Sequence, residues 1–248
     1  MKYRYFIQLS FKGTNYHGWQ LQPNGISVQG VLNKVLSIKL KENIEVIGVG
    51  RTDTGVHAKF FVAHFDSEKN IISESIVHSI NSFLPDDISL KNIFPVKPSA
   101  HSRFSAISRT YKYYINNVKN SFSKEFSYYY HRKLDVVKMN EASETLLRYS
   151  DFTSFCKSKS DTRTNLCKIY HAGWNEEDGN IVFTIKANRF LRNMVRSIVG
   201  TLIEVGSGKI TIDKFTEIIE KKNRIYAGMS VPAHGLYLFD IEYPIEIF

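Results

Sequence analysis

The sequence predicts an α+β fold: two domains of similar strand-helix layout, with largely antiparallel sheets. Three observations predict it. Apolar residues alternate with period two in some runs and recur at helical spacing in others. In the first half those runs read strand, helix, strand, strand, helix, strand, and no run of regular βα units points to a parallel sheet. Pro95, Pro98 and Ser99 then mark a hinge, after which a similar layout recurs. A chain of 248 residues suits two domains of ordinary size, here 1–104 and 105–248.

In chain order, Tyr3, Tyr5, Ile7, Leu9 and Phe11 alternate with polar residues as a half-buried strand, with Phe6 out of step. Met1–Tyr5 runs straight into it, so no signal peptide is expected. Gly13–Asn24 is a loop holding Tyr16, His17 and Trp19. Ser27 opens a helix whose Val28, Val31, Leu32, Val35 and Leu36 share a face. Ile44–Val49 and Phe60–Phe65 read as strands. Ile76, Val77, Ile80, Phe83 and Leu84 mark a helix stopped by Pro85, and Ile88–Val96 is another strand. Beyond the hinge, Thr110–Ile115 alternates as a strand, and Asp135 caps a helix carrying Met139, Ala142 and Leu146 inward. Asp151–Arg163 is a polar, basic loop with Lys157, Lys159 and Arg163. Lys168–Trp174 and Ile181–Ala187 form a hairpin across Asp178-Gly179. Helices are expected over Phe190–Val205 and Thr211–Lys222, and Leu236–Tyr243 closes the sheet.

The net charge of +9, spread along the chain, points to a polyanionic partner, nucleic acid before an anionic membrane. No apolar stretch is long enough to span a bilayer. Cys156 and Cys167 form no Cys-x-x-Cys pair and have no histidines at metal spacing, which reads as two reduced thiols in a cytoplasmic protein. Phosphate-loop, dinucleotide-fingerprint and nucleophile-elbow motifs are missing, so no metal, nucleotide or flavin cofactor is expected.

Three stretches carry candidate chemistry. Gly48–Ala58 sets Arg51-Thr52-Asp53 between two apolar runs, bracketed by Gly50 and Gly55. Asp53 is a candidate nucleophile or general base; alternatively, Arg51 and Asp53 stitch a turn. Arg189, Arg192 and Arg196 stand three and four apart, which on a continuous helix puts them on one face. Either a phosphate or the Asp53 carboxylate satisfies that face, or it is solvated. Ser102-Arg103-Phe104 and Arg109–Tyr114 interleave cations with aromatics, a pattern that suits RNA as well as an ordinary edge strand.

These stretches resemble the TruA-type tRNA pseudouridine synthases. The resemblance rests on GRTDTGVHA (Gly50–Ala58), GTNYHGWQLQPN (Gly13–Asn24) and SVQGVL (Ser27–Leu32). It continues in HSRFSAISRTYKYYI (His101–Ile115), DFTSF (Asp151–Phe155), FLRNMVRSIVGTL (Phe190–Leu202) and HGLYL (His234–Leu238). Thr54 and Ser102 stand where the family usually has Ala, and Phe11 where it has Tyr. The resemblance implies a cofactor-free isomerase that converts uridine to pseudouridine at positions 38, 39 and 40 in the tRNA anticodon stem-loop. It also implies a cytoplasmic homodimer whose two sheets join across a basic central cleft. Asp53 matches the catalytic Asp, Tyr111 the active-site Tyr, Arg196 the active-site Arg, and Arg51 the RNA-binding Arg. On that reading Arg196 orients Asp53, Tyr111 stacks on the uracil, and Leu236 is an apolar wall beside it. The competing reading is a non-catalytic tRNA-binding or RNA-chaperone protein.

Overall fold

The computed structural model describes residues 2–71, 74–158 and 163–248, without the side chain of Glu74; Met1 and Lys159 lie outside the described residues. In chain order the elements are β1 (Tyr3–Phe11), α1 (Val28–Leu40), β2 (Ile47–Gly48), β3 (His57–Ser67), α2 (Glu74–Asn81), β4 (Ile88–Val96), β5 (Ser108–Asn116), β6 (Tyr128–Tyr129), α3 (Val136–Thr145), β7 (Ile169–Glu177), β8 (Asn180–Ala187), α4 (Met194–Gly206), α5 (Ile212–Glu220) and β9 (Leu236–Glu242). The chain forms two compact units, 1–107 with Leu238–Phe248, and Ser108–Tyr237.

In the first unit β1 is paired antiparallel on both sides. Tyr3↔Ser67 to Phe11↔Ala58 sets its register with β3, and Arg4↔Val96 to Phe11↔Ile88 its register with β4. A strand covered on both faces need not alternate, which accounts for Phe6. Tyr5 stacks on Phe65 on one face, while Phe6 meets Phe94, His64 and Tyr243 on the other. Ser27 caps α1 by accepting the Gly30 N–H at 3.2 Å. The run expected as a strand over Ile44–Val49 pairs as strand only at Ile47 and Gly48. Its earlier amides find side chains of α1 instead: Ile44 N–H donates to Ser37 Oγ and Val46 N–H to Asn33 Oδ1, both at 2.9 Å. Phe83 is exposed rather than inward, with Lys39 Nζ 3.4 Å from its ring centroid. A division at residue 104 keeps the closing strand with the second half, whereas Leu238–Phe248 pack with the first unit. There Ile107 N–H donates to the Glu242 carbonyl and Lys97 N–H to that of Ile247.

In the second unit β8 lies between β5 and β7, antiparallel to both, and β6 adds a short parallel pair beside β5. The hairpin turns at Asp178 and Gly179 with φ of 50° and 74°, the positive angles that a tight β-turn of this hand needs. Asp135 caps α3 by accepting the Lys138 N–H. Asn140 ties α3 to β7 through both the N–H and the carbonyl of Trp174. Thr211 caps α5, which buries Phe215, Ile218 and Ile219. α4 is buried nearly all round but begins at Met194, not Phe190. Asn193 adopts φ 66°, a left-handed conformation Asn tolerates and an α-helix does not, so the helix cannot extend back through it. Arg189 and Arg192 therefore lie outside the helix, and the shared cationic face does not form. Among the described residues, no helix is long and apolar enough to cross a membrane.

Candidate functional site

The Arg51–Asp53 stretch leaves β2 and returns through a turn into β3. Val49 N–H still donates to the Val62 carbonyl at 2.9 Å. Val56 N–H then donates to the Asp53 carbonyl at 3.2 Å, closing a turn whose third residue is Gly55 at φ 79°. A positive φ at that position is what a type II turn requires. Arg51 is exposed and Asp53 half-buried.

This turn is seated on the loop between β1 and α1. Gly18, at φ 79°, comes so close that a Cβ there would sit 2.2 Å from the Thr52 carbonyl oxygen; one on Gly13 would sit 2.0 Å from that of Val56. Gly55 N–H donates to the Tyr16 carbonyl at 3.4 Å. Gly13 N–H donates to Nδ1 of buried His57 at 3.0 Å, so this imidazole accepts at that atom and serves as a brace. Trp19 stacks on Phe61 with centroids 4.1 Å apart and presses on Gly48. The loop is in turn anchored at Asp87, whose carboxylate accepts from the Tyr16 hydroxyl and, at 3.1 Å, from Asn15 Nδ2. Burial first, and Asp87 second, push the Tyr16 hydroxyl well above the usual phenol range, so it remains a donor. Nothing in the local sequence pattern pairs Tyr16 with Asp87.

Tyr111, Arg196 and Leu236 belong to the second unit. Tyr111, on β5, is half-buried, with the edge of its ring to Phe190 at 5.0 Å and 83°. Arg196, on α4, is clamped to the segment after α5. Its Nε donates to the Val231 carbonyl at 2.8 Å, and its own carbonyl accepts the Val231 N–H at 3.2 Å. That segment lies so close that a Cβ on Gly200 would be 1.8 Å from the Met229 carbonyl oxygen. It continues through Pro232, whose carbonyl accepts from buried Tyr113, to the buried Leu236. Burial, reinforced by the Arg196 charge, pushes the nearby His234 below the usual imidazole value. The segment thus runs from Val231, which is bonded to Arg196, on to Leu236, while Tyr111 sits beside Phe190.

The other two arginines of the expected face do different things. Arg189 Nη1 donates to the Thr164 carbonyl at 3.0 Å and to that of Leu166 at 3.4 Å. Arg192 is exposed, and its carbonyl accepts the Lys157 N–H. Among the described residues, no group of three or more His, Cys, Asp or Glu could hold a metal ion.

A family model described as a tRNA pseudouridine synthase matches residues 142–244. Proteins named tRNA pseudouridine synthase A are similar over nearly the whole chain. The one from Bacteroides fragilis is 56% identical over 99% of this chain and 98% of its own length. The one from Bacteroides thetaiotaomicron is 52% identical over 99% and 92%. The one from Bacillus subtilis is 38% identical over 95% and 97%.

Proposed function

Because the chain belongs to the tRNA pseudouridine synthase A family, isomerases that act on tRNA, we propose that it converts uridine to pseudouridine at positions 38, 39 and 40 of the anticodon stem-loop, with Asp53 as the catalytic carboxylate. The reaction breaks the bond from ribose C1′ to uracil N1 and joins C1′ to C5. N1 gains a proton and C5 loses one, so the product is an isomer and no redox partner is needed. What it needs is a fixed carboxylate at the nucleotide, a ring against the detached uracil, and cations for the backbone.

The observation that carries this reading is the seating of the Asp53 turn. Two glycines and a line of main-chain hydrogen bonds hold the carboxylate-bearing turn. A group held in place before substrate arrives is what orientation-dependent catalysis requires. Asp53 acts at C1′, at the uracil ring or on a sugar proton; all three use a carboxylate at this place. Tyr111 stacks on the uracil and Leu236 forms an apolar wall beside it. Arg196 is the active-site cation, oriented by its Nε bond to Val231. Arg51, exposed at the head of the turn, contacts phosphate and offsets the few kcal/mol of unstacking the target base. The chain acts as a cytoplasmic homodimer.

The test is tritium release from tRNA carrying 5-tritiated uridine. Asp53→Asn is expected to bind tRNA, melt like the parent and release no measurable tritium. A residual rate within about tenfold of the parent sinks the catalytic assignment. Binding without release in the parent itself supports the RNA-binding alternative.

A further inference from the structure

The turn at 101–105 carries an aromatic side chain that is largely in water and that the proposed catalysis does not use. Phe104 is 75% exposed. Burying a phenyl ring contributes favourably to folding, so a ring displayed on a well-fixed turn needs another reason.

The turn is held from several sides. His101 Nδ1 accepts the N–H of Arg103 at 3.1 Å and that of Phe104 at 3.4 Å. Ser105 N–H donates to the His101 carbonyl, and Ser105 Oγ accepts the His101 N–H. Ser102, fully buried, donates from Oγ to the Ile47 carbonyl at 2.7 Å and lies 2.8 Å from His64 Nδ1. Its carbonyl accepts from the Tyr243 hydroxyl at 2.6 Å. The His101 ring packs against His64 with centroids 4.5 Å apart and against Phe104 at 4.4 Å. The guanidinium carbon of the exposed Arg103 stands 5.5 Å from the Phe104 ring centroid.

A rigid exposed ring beside a cation matches the chemistry of an unpaired nucleotide, in which the base stacks on the ring and the phosphate meets the arginine. The residues on either side of Phe104 in the turn, Arg103 and Ser105, are polar, and the cation stands over the ring itself, whereas a protein partner favours a continuous apolar patch. Resting on the reading of the chain as a tRNA isomerase, we propose that Phe104 is a stacking platform for an unpaired base of the bound tRNA, with Arg103 paired to its phosphate. The unpaired nucleotides of a tRNA lie in loops and at the 3′ end, so this contact positions the substrate and is not itself catalytic.

The test is equilibrium binding of an unmodified tRNA transcript at fixed salt to the parent, Phe104→Ala and Phe104→Trp. Phe104→Ala is expected to melt like the parent and to raise Kd by about five- to a hundredfold, the range that loss of one stacked base gives. Phe104→Trp is expected to restore binding, and its added indole emission to be quenched by the RNA above the background of buried Trp19 and Trp174. A Kd for Phe104→Ala within about twofold of the parent overturns the proposal. So does a change in sedimentation without a change in Kd, which would give the ring to a contact between copies of the chain. Parent protein that binds through Phe104 yet releases no tritium overturns the isomerase reading and leaves the platform standing. Release with Phe104-independent binding does the reverse.

Discussion

The turn around Asp53 and the stretch from Arg189 to Arg196 both set polar side chains beside buried elements, yet the balance of what holds them differs. The first is fixed by main chain: glycines against carbonyls, and amides onto Tyr16 and Asp53. The second is fixed largely by its own side chains. Arg189 grips the carbonyls of Thr164 and Leu166, Asn193 donates to Ser230, and Arg196 donates to Val231. An exposed side chain of the turn itself, such as Thr54, can therefore be changed with little cost to structure, whereas in the second region the proposed chemistry and the fold share Arg196.

The largest effect expected from this contrast comes from a single methyl group. Gly18→Ala puts a Cβ against the Thr52 carbonyl and forces an L residue to φ 79°, so the Asp53 turn must shift. A displacement of about 1 Å can cost roughly a hundredfold in rate, so tritium release should fall by at least about that factor. The melting temperature should also fall, since positive φ disfavours Ala over Gly by about 1 kcal/mol before the clash is counted. Parent-like release from Gly18→Ala would mean that the loop is not the seat of the turn.

In the second region the expectation divides between two arginines. Arg189→Ala removes two exposed bonds onto main chain and should cost about 1 kcal/mol of stability while leaving the rate per folded molecule near the parent's. Arg196→Ala should lower both, because the Nε contact to Val231 is lost along with the cation. Denaturant melts paired with tritium release separate the two. Equal rate loss in both variants would restore the idea of one functional arginine face, which the start of α4 at Met194 argues against.

Smaller again is a pH effect centred on His64 in the first unit. His64, on β3, is buried beside Ser102, and burial, then the charges of His101 and Arg4, push it down to about 4, against the pull of Asp66. Between that value and the ordinary 6.5, the unfolded chain binds a proton that the folded chain does not. Stability present above pH 6.5 is therefore lost as pH falls towards 4. His64→Gln should reduce the slope of the melting temperature over that window, leaving the share of His101 and His234, which burial also lowers. Arg189 is not among the groups that shift His64, so Arg189→Ala should leave that slope as it is. An unchanged slope in His64→Gln would remove His64 as its source.

Where the sequence was legible, local chemistry matched the fold. Ser27, Asp135 and Thr211 cap the helices they precede, and Asp178-Gly179 turns the hairpin expected of it. Where it was not, a contact distant in sequence overruled the local pattern. The apolar run Ile44–Val49 looks like a strand, but α1 side chains take its first amides. Phe190 and Leu191 continue the apolar spacing of α4, yet Asn193, bonded to Ser230, breaks the helix. The Tyr16–Asp87 pair that anchors the site spans 71 residues, and no periodicity could reveal it. The Asp53 turn was legible because Gly55 carries the positive φ it needs; Gly50, read with it as a bracket, has neither a positive φ nor a close neighbour.

The smallest expected effect lies at Thr54, inside the most sensitive loop of the molecule. Thr54 is the second residue of the turn that Val56 N–H closes onto Asp53, and it is exposed. That position of a β-turn accepts most residues, whereas Gly55 beside it carries the positive φ. Thr54→Ala should therefore move stability by no more than about 0.5 kcal/mol and leave tritium release within about twofold of the parent. The contrast with Gly18→Ala is then at its sharpest: one methyl group placed beneath the turn should lower release at least about a hundredfold, while a hydroxyl and a methyl removed from its outer side should leave it within about twofold. If Thr54→Ala instead lowers release by more than about tenfold at unchanged stability, the outer side of the turn touches the substrate, and the main-chain seat alone is not enough to account for the site.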